Sequence, residues 1–251
     1  MSETKGRGYS IKAKAKEAEI YLYEEIGEGY FGGGVSAKQF SKDLKAVGEV
    51  ETITVRINSP GGDVFDGNTI YNLLKQHSAH VVVYVDGLAA SIASVIAMAG
   101  DEIHMADNAL MMIHDPWSFA IGNAADMRET ADRLDKVAGT IVRTYAKKTG
   151  KGEQELADMM AAETWMNADE AVEHGFADSV VDALPMAASA QLFDLEKFRY
   201  KRSPLAAGTP MRPAAEVRAP GDADAAPNLE FLDAAMQKIS AVLERTKLKA
   251  A

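Results

Sequence analysis

From Glu17 apolar and polar residues alternate, with Ala18, Ile20 and Leu22 set between Glu19, Tyr21 and Tyr23, the period of a half-buried strand. A glycine-rich loop spans Gly27 to Gly34. Ser36 and Gln39 then stand at capping-box spacing and open a helix to Val47, ended by Gly48. Ile53 to Ile57 reads as a second strand running into Ser59-Pro60-Gly61-Gly62, and Ile70, Leu73 and Leu74 mark an amphipathic helix. His80 to Val85, rich in valine, predicts a buried strand. A turn at Gly87 to Ala90 leads into an apolar helix over Ser91 to Met98, with short strands at Glu102–Met105 and Leu110–Ile113. Strands alternating with helices at these intervals predict βαβ units and a mainly parallel sheet with helices on its faces. Ligands of such sheets bind at the carboxyl ends of the strands, where both glycine turns fall.

Further along, Met127, Ala131, Leu134, Ala138, Ile141 and Tyr145 recur at spacings of four and three, a heptad-like seam on a helix over Asn123 to Lys148. Glu129 with Arg133 and Asp132 with Lys136 add (i, i+4) pairs on its charged side. At about 1.5 Å per residue it would run about 39 Å. It either lies across the core or projects to meet another subunit. Asn167 with Glu170 caps a short helix ending at Gly175.

The chain therefore divides into a polar, Lys-rich and mobile segment 1–16, a folded domain 17–200, an Ala/Pro/Gly-rich linker 201–227, and an amphipathic helix 228–251. The last carries a seam of Leu229, Leu232, Met236, Ile239 and Leu243.

Composition narrows the function. Apolar residues make up 47% of 251 positions, ample for a sizeable core, and the net charge of −10 argues against a general nucleic-acid binder. No cysteine is present, which excludes disulfide and thiolate chemistry and suits a reducing compartment. The N-terminal residues lack the apolar stretch of a secretory signal, and the run from Ile92 to Ala99 is too short to span a bilayer. A soluble intracellular protein without membrane association is expected. The scattered histidines show no metal-ligand spacing.

Three elements carry candidate chemistry. Ser91 follows a small-residue turn at a helix start, where N–H groups favour developing negative charge; the same position suits an ordinary N-cap serine. His114 closes an apolar strand, either as a base or as a structural histidine. Gly61-Gly62 is either a tight turn or a way to bring a substrate close to backbone N–H groups.

In combination, Ile57-Asn58-Ser59-Pro60-Gly61-Gly62, Gly87-Leu88-Ala89-Ala90-Ser91, Met112-Ile113-His114-Asp115-Pro116, and Glu170-Ala171 with Gly175 and Asp178 resemble the Clp protease proteolytic subunit (ClpP) family, over residues 17–182. The resemblance implies an α/β ClpP/crotonase-like spiral of βαβ units whose projecting handle helix would be Asn123–Lys148. It implies Ser91 as nucleophile and His114 as general base, then acid toward the leaving amine. Backbone N–H groups of Gly62 and Ile92 would form the oxyanion hole. Gly61 and the segment Pro116 to Ile121, with Trp117 and Ser118, would pair with the substrate as a strand. The family usually has an aspartate where this chain has Glu163, the candidate third triad member; Asp115 and Asp178 are the fallbacks. A homo-oligomeric ring acting on polypeptides is implied, with no cofactor and no metal.

Ile26-Gly27-Glu28-Gly29-Tyr30 does not resemble the segment by which such enzymes engage an ATP-driven unfoldase, and the extension after Tyr200 is foreign to them. Ile96 to Asp101, Met111 to His114 and Glu163-Thr164-Trp165 look like the ClpP-related head maturation (prohead) proteases of tailed phages. The implied activity is an ATP-independent serine endopeptidase processing scaffold or capsid proteins in the bacterial host cytoplasm, inside an immature shell. Its tail would serve for targeting or docking and be open to self-removal. The rivals are a Clp subunit partnered with an unfoldase, a catalytically silent assembly scaffold, and a crotonase-like acyl-CoA enzyme.

Overall fold

Side-chain alternation puts one face of each central strand into the core. The computed structural model describes residues 2–6 (backbone alone), 9–28 and 34–182; the rest of the glycine-rich loop and everything from 183, including the expected linker 201–227 and helix 228–251, lie outside the described residues. Strand β3 (Glu17–Leu22) buries Ala18, Ile20 and Leu22, β4 (Thr52–Ser59) buries Ile53, Val55 and Ile57, and β5 (His80–Ala90) buries Val81, Val83 and Val85. These three run parallel and in register, with Ile20 beside Val55 and Val55 beside Val83. β6 (Glu102–Ala106) and β9 (Ser179–Val181) extend the parallel array.

The N-terminal segment differs from the mobile stretch expected for residues 1–16. β1 (Ser2–Gly6) and β2 (Tyr9–Lys14) form an antiparallel extension of the sheet onto β3. Its lysines hide a period-two pattern in which Tyr9 and Ile11 point inward, and Tyr9 meets Phe40 of α1 (Ala37–Val47) at 6.2 Å between ring centroids. The sheet is thus mainly parallel, as expected, with an antiparallel hairpin added at its N-terminal edge.

The local helix signals operate as expected, with one departure. The Ser36 side chain accepts from the Gln39 N–H at 3.3 Å, but the Gln39 amide turns to Asp43 instead of closing the capping box. Asp63 caps α2 (Val64–Gln76) by accepting from Phe65 and Asp66.

Topology turns on β5, which changes partners midway. Val82–Val85 pair with β6, whereas Leu88–Ala90 pair with β7 (Leu110–Ile113) in a branch of the sheet. The switch falls at Gly87, where an added Cβ would lie 2.9 Å from Asn58 Oδ1. On the other side the register slips, so that Ile57 faces Val85 but Ser59 faces Ala89. That slip brings the Pro60–Gly62 turn alongside Ala90 and Ser91.

β7 in turn pairs antiparallel with β8 (Thr164–Asn167), reached through α4 (Ala124–Thr149) and α5 (Glu153–Ala161). α6 (Ala168–Glu173) opens with a complete Asn167–Glu170 capping box, as expected. The open question about the long helix is resolved by its burial. Residues Ala124 to Glu129 are all exposed, whereas Ile141, Val142 and Tyr145 are buried, so only the C-terminal part of α4 roots in the described core. An Asn123–Asp126 capping box starts it and left-handed Gly150 ends it.

Candidate active site

Ser91 stands between the end of β5 and α3 (Ile92–Ala97). Its backbone, at φ 55° and ψ −130°, has the geometry of the first central residue of a type II′ turn, which glycine ordinarily fills. The side chain makes no capping bond to α3; instead Ser91 Oγ lies 2.8 Å from His114 Nε2. The N-cap reading of Ser91 therefore gives way to an engaged hydroxyl–imidazole pair. α3 has only six residues, so its dipole is a small part of the electrostatics.

Pairing of β5 with β7 makes this meeting possible, because Ala90 aligns with Met112 and the Ser91 N–H donates to the Met112 carbonyl at 2.9 Å. β7 ends one residue before His114, which is half-buried. In the antiparallel register of β7 and β8, Ile113 faces Thr164, so the next step along the ladder sets His114 opposite Glu163. Glu163 is 7% exposed and has a positive φ of 51°. Of three non-glycine residues with positive φ among those described, Ser91 and Glu163 are two. Such conformations cost on the order of 1–2 kcal/mol and persist where the surroundings enforce them.

The glycine turn packs directly against Ser91. A Cβ on Gly61, whose φ is 94°, would lie 2.7 Å from both the Ala90 carbonyl oxygen and Ser91 Cβ. Gly61 accepts from the Ile26 N–H at 2.7 Å, and the Asp63 N–H donates to the Ile26 carbonyl at 2.9 Å. Since both flanking groups face Ile26, the N–H of Gly62 faces the opposite way, as neighbours along a strand edge must. The Ile92 N–H, at the first position of α3, has no acceptor within the helix. Gly62 thus adjoins the glycine that packs on Ser91, and Ile92 follows Ser91 directly.

Behind Ser91, the carbonyl of the same residue accepts from both the N–H and the hydroxyl of Ser94. The Ser94 hydroxyl lies 2.8 Å from that of Tyr145 on α4. With its one proton directed to Ser91, Ser94 accepts from Tyr145. Burial pushes the Tyr145 hydroxyl pKa up, so it stays a donor.

Other expected site residues fall differently. Pro116 to Ile121 continues beyond β7 outside the sheet ladder, with Trp117 and Phe119 exposed and in edge contact at 5.5 Å, while Ser118 is exposed. Asp115 is exposed and lines a cleft with Asp135 and Glu153. Asp178 accepts from the Ile103 N–H at 2.7 Å and pairs with Lys148 at 3.0 Å, which ties β6 to the root of α4. Among the described residues no cluster of three or more His, Asp or Glu side chains could hold a metal, and no helix is long and apolar enough to cross a membrane. The sequence did not assign Ser94, Tyr145 or Ile26 to the site; Tyr145 left a trace as a seam residue and Ile26 as the first residue of the segment entering the glycine-rich loop.

An α/β sheet carrying a serine and a histidine in contact at neighbouring strand ends, under a glycine turn, has the arrangement of a serine hydrolase. The family model for Clp protease matches residues 4–183, and the chain belongs to that family. It is 32% identical over 142 residues to the ATP-dependent Clp protease proteolytic subunit of Leuconostoc citreum, covering 55% of this chain and 71% of that one. It is 34% identical over 134 residues to the subunit of the same name from Deinococcus radiodurans, covering 53% and 66%. A solved ClpP1 variant from Listeria monocytogenes shares the fold, with a TM-score of 0.57 at 24% identity over 66% of this chain and 91% of that one. Proteolytic subunits of the family are serine endopeptidases that assemble into rings and degrade polypeptides.

Proposed function

We propose that this chain hydrolyses peptide bonds through Ser91, His114 and Glu163 as a homo-oligomer. The observation that carries the reading is the 2.8 Å contact between Ser91 Oγ and His114 Nε2 beneath the Gly61 turn. His114 Nε2 takes the hydroxyl proton as Ser91 Oγ attacks the scissile carbonyl carbon. The N–H groups of Gly62 and Ile92 receive the oxyanion; losing one such donor typically costs on the order of 100-fold or more. His114 then protonates the departing amine, and a water deprotonated by the same imidazole releases the acyl group. Glu163 accepts from Nδ1–H of His114 and stabilises the imidazolium. The stretch after His114, with Pro116 half-buried and Trp117 and Ser118 exposed, aligns the substrate as an added strand with Gly61 on the other side.

The names of the curated relatives favour a Clp-type proteolytic subunit supplied by an unfoldase. A second reading, a head maturation protease acting on scaffold or capsid protein within an immature phage shell in the host cytoplasm, draws on two features. One is the phage-like character of Met111 to His114 and Glu163 to Trp165; the other is the extension after Tyr200.

Fluorophosphonate labelling of the purified chain, read by intact mass over a concentration series, tests the chemistry. One adduct on the wild type and none on Ser91→Ala is expected; no adduct at any concentration overturns it. Cleavage of an unfolded polypeptide without nucleotide, against degradation of a folded one only with ATP and an unfoldase, separates the two settings.

A further inference from the structure

The indole N–H of Trp165 donates to Glu163 Oε1 at 3.2 Å. Trp165 lies on β8 opposite Met112, and its ring packs on the small buried cluster of Leu88, Ala90 and Met112. Ala90 immediately precedes Ser91, and Met112 stands two residues before His114. A single rigid side chain thus rests on both strands that deliver the hydroxyl–imidazole pair and holds one oxygen of the carboxylate beside it. Glu163 needs such a restraint. It has one more rotatable bond than aspartate and a positive φ of 51°, and it sits one residue outside β8, where its N–H donates to the Met160 carbonyl at 2.9 Å and the side chain must be oriented separately.

From this geometry we propose that Trp165 is a positioning residue that sets the orientation of Glu163, and through it His114, resting on the assignment of Glu163 as the third triad member. The indole N–H occupies Oε1 and leaves the other oxygen to meet the imidazole. Trp165 itself touches no reacting atom.

The test is a cycle of four proteins: wild type, Trp165→Phe, Glu163→Ala and the double variant. Each is read by fluorophosphonate inactivation, resolved into a limiting rate and a half-saturating concentration. Losing the hydrogen bond to the Glu163 carboxyl is expected to lower the limiting rate of Trp165→Phe about tenfold, with the half-saturating concentration unchanged. In the Glu163→Ala background the same substitution is expected to change the rate by less than about twofold, because the group it acts through is gone. An equal loss in both backgrounds, or none in either, overturns the proposal while leaving the triad assignment intact. A wild-type limiting rate in Glu163→Ala overturns the assignment instead, and the proposal with it. Should Trp165→Phe fold poorly, benzothienylalanine at position 165 keeps the ring shape without the N–H. The tenfold loss is expected there too, and full activity refutes the role.

Discussion

Tyr145→Phe and Ser94→Ala, made singly and together, test whether the root of α4 holds the nucleophile turn. Tyr145 is 1% and Ser94 0% exposed, so neither hydroxyl can exchange its partner for water. Tyr145→Phe removes one hydrogen bond and leaves Ser94 still donating to Ser91, a loss of about 1 kcal/mol. Ser94→Ala removes both side-chain bonds and strands the Tyr145 hydroxyl in the core, which raises the loss to about 2–3 kcal/mol. The double variant removes the stranded group as well and should be more stable than Ser94→Ala alone, by about 1 kcal/mol. Urea midpoints at constant slope, followed through the fluorescence of the two tryptophans, measure the three differences. Fluorophosphonate labelling should slow more in Ser94→Ala than in Tyr145→Phe, since only the former releases the Ser91 carbonyl from a hydroxyl donor. Strictly additive losses, or a Ser94→Ala no more costly than Tyr145→Phe, would refute the buried chain from α4 to Ser91.

Two further substitutions probe the surrounding frame. Gly61→Ala places a methyl 2.7 Å from Ser91 Cβ at a φ of 94°, and is expected to slow labelling on the order of 100-fold by displacing the neighbouring Gly62 donor, with a stability loss of about 2 kcal/mol. Retained labelling would show that the turn does not supply the oxyanion donor. On the far face of the sheet, Asp86 receives a two-pronged bond from Arg56 and one from the Tyr23 hydroxyl, with Arg56 over the Tyr84 ring at 5.3 Å. Burial outweighs those partners and lifts the Asp86 carboxyl above the usual carboxylate range. Asp86→Ala leaves a nearly buried guanidinium unpaired and is expected to lower stability by about 3 kcal/mol, read by urea midpoint; a change below about 1 kcal/mol would mean that Arg56 finds water.

Much of the fold is legible in short windows because its determinants are local. Alternation in Ala18–Leu22 and Ile53–Ile57, the Ser36 and Asn167 caps and the Gly48 stop each report conformation within a few residues. The N-terminal hairpin escaped because lysines on its open face mask two inward positions, Tyr9 and Ile11. α5 buries only Leu156 and Met160, too few to show a period, and β8 is four residues whose partners on β7 lie more than 50 positions earlier in the chain, Met112 facing Trp165 and Met111 facing Met166.

The sequence by itself determined which chemical groups are present, on which kind of element each lies, and that Ser91, His114 and a glycine turn all sit at strand ends. Tertiary structure decided which of them touch. The change of partner along β5 sets Ser91 against His114, the register slip at Ile57–Ser59 lays Gly61 against Ser91, and antiparallel pairing of β7 with β8 brings Glu163 opposite His114. Those contacts join residues 23 or more positions apart, and only simultaneous burial of both sheet branches can choose among the pairings that local patterns allow.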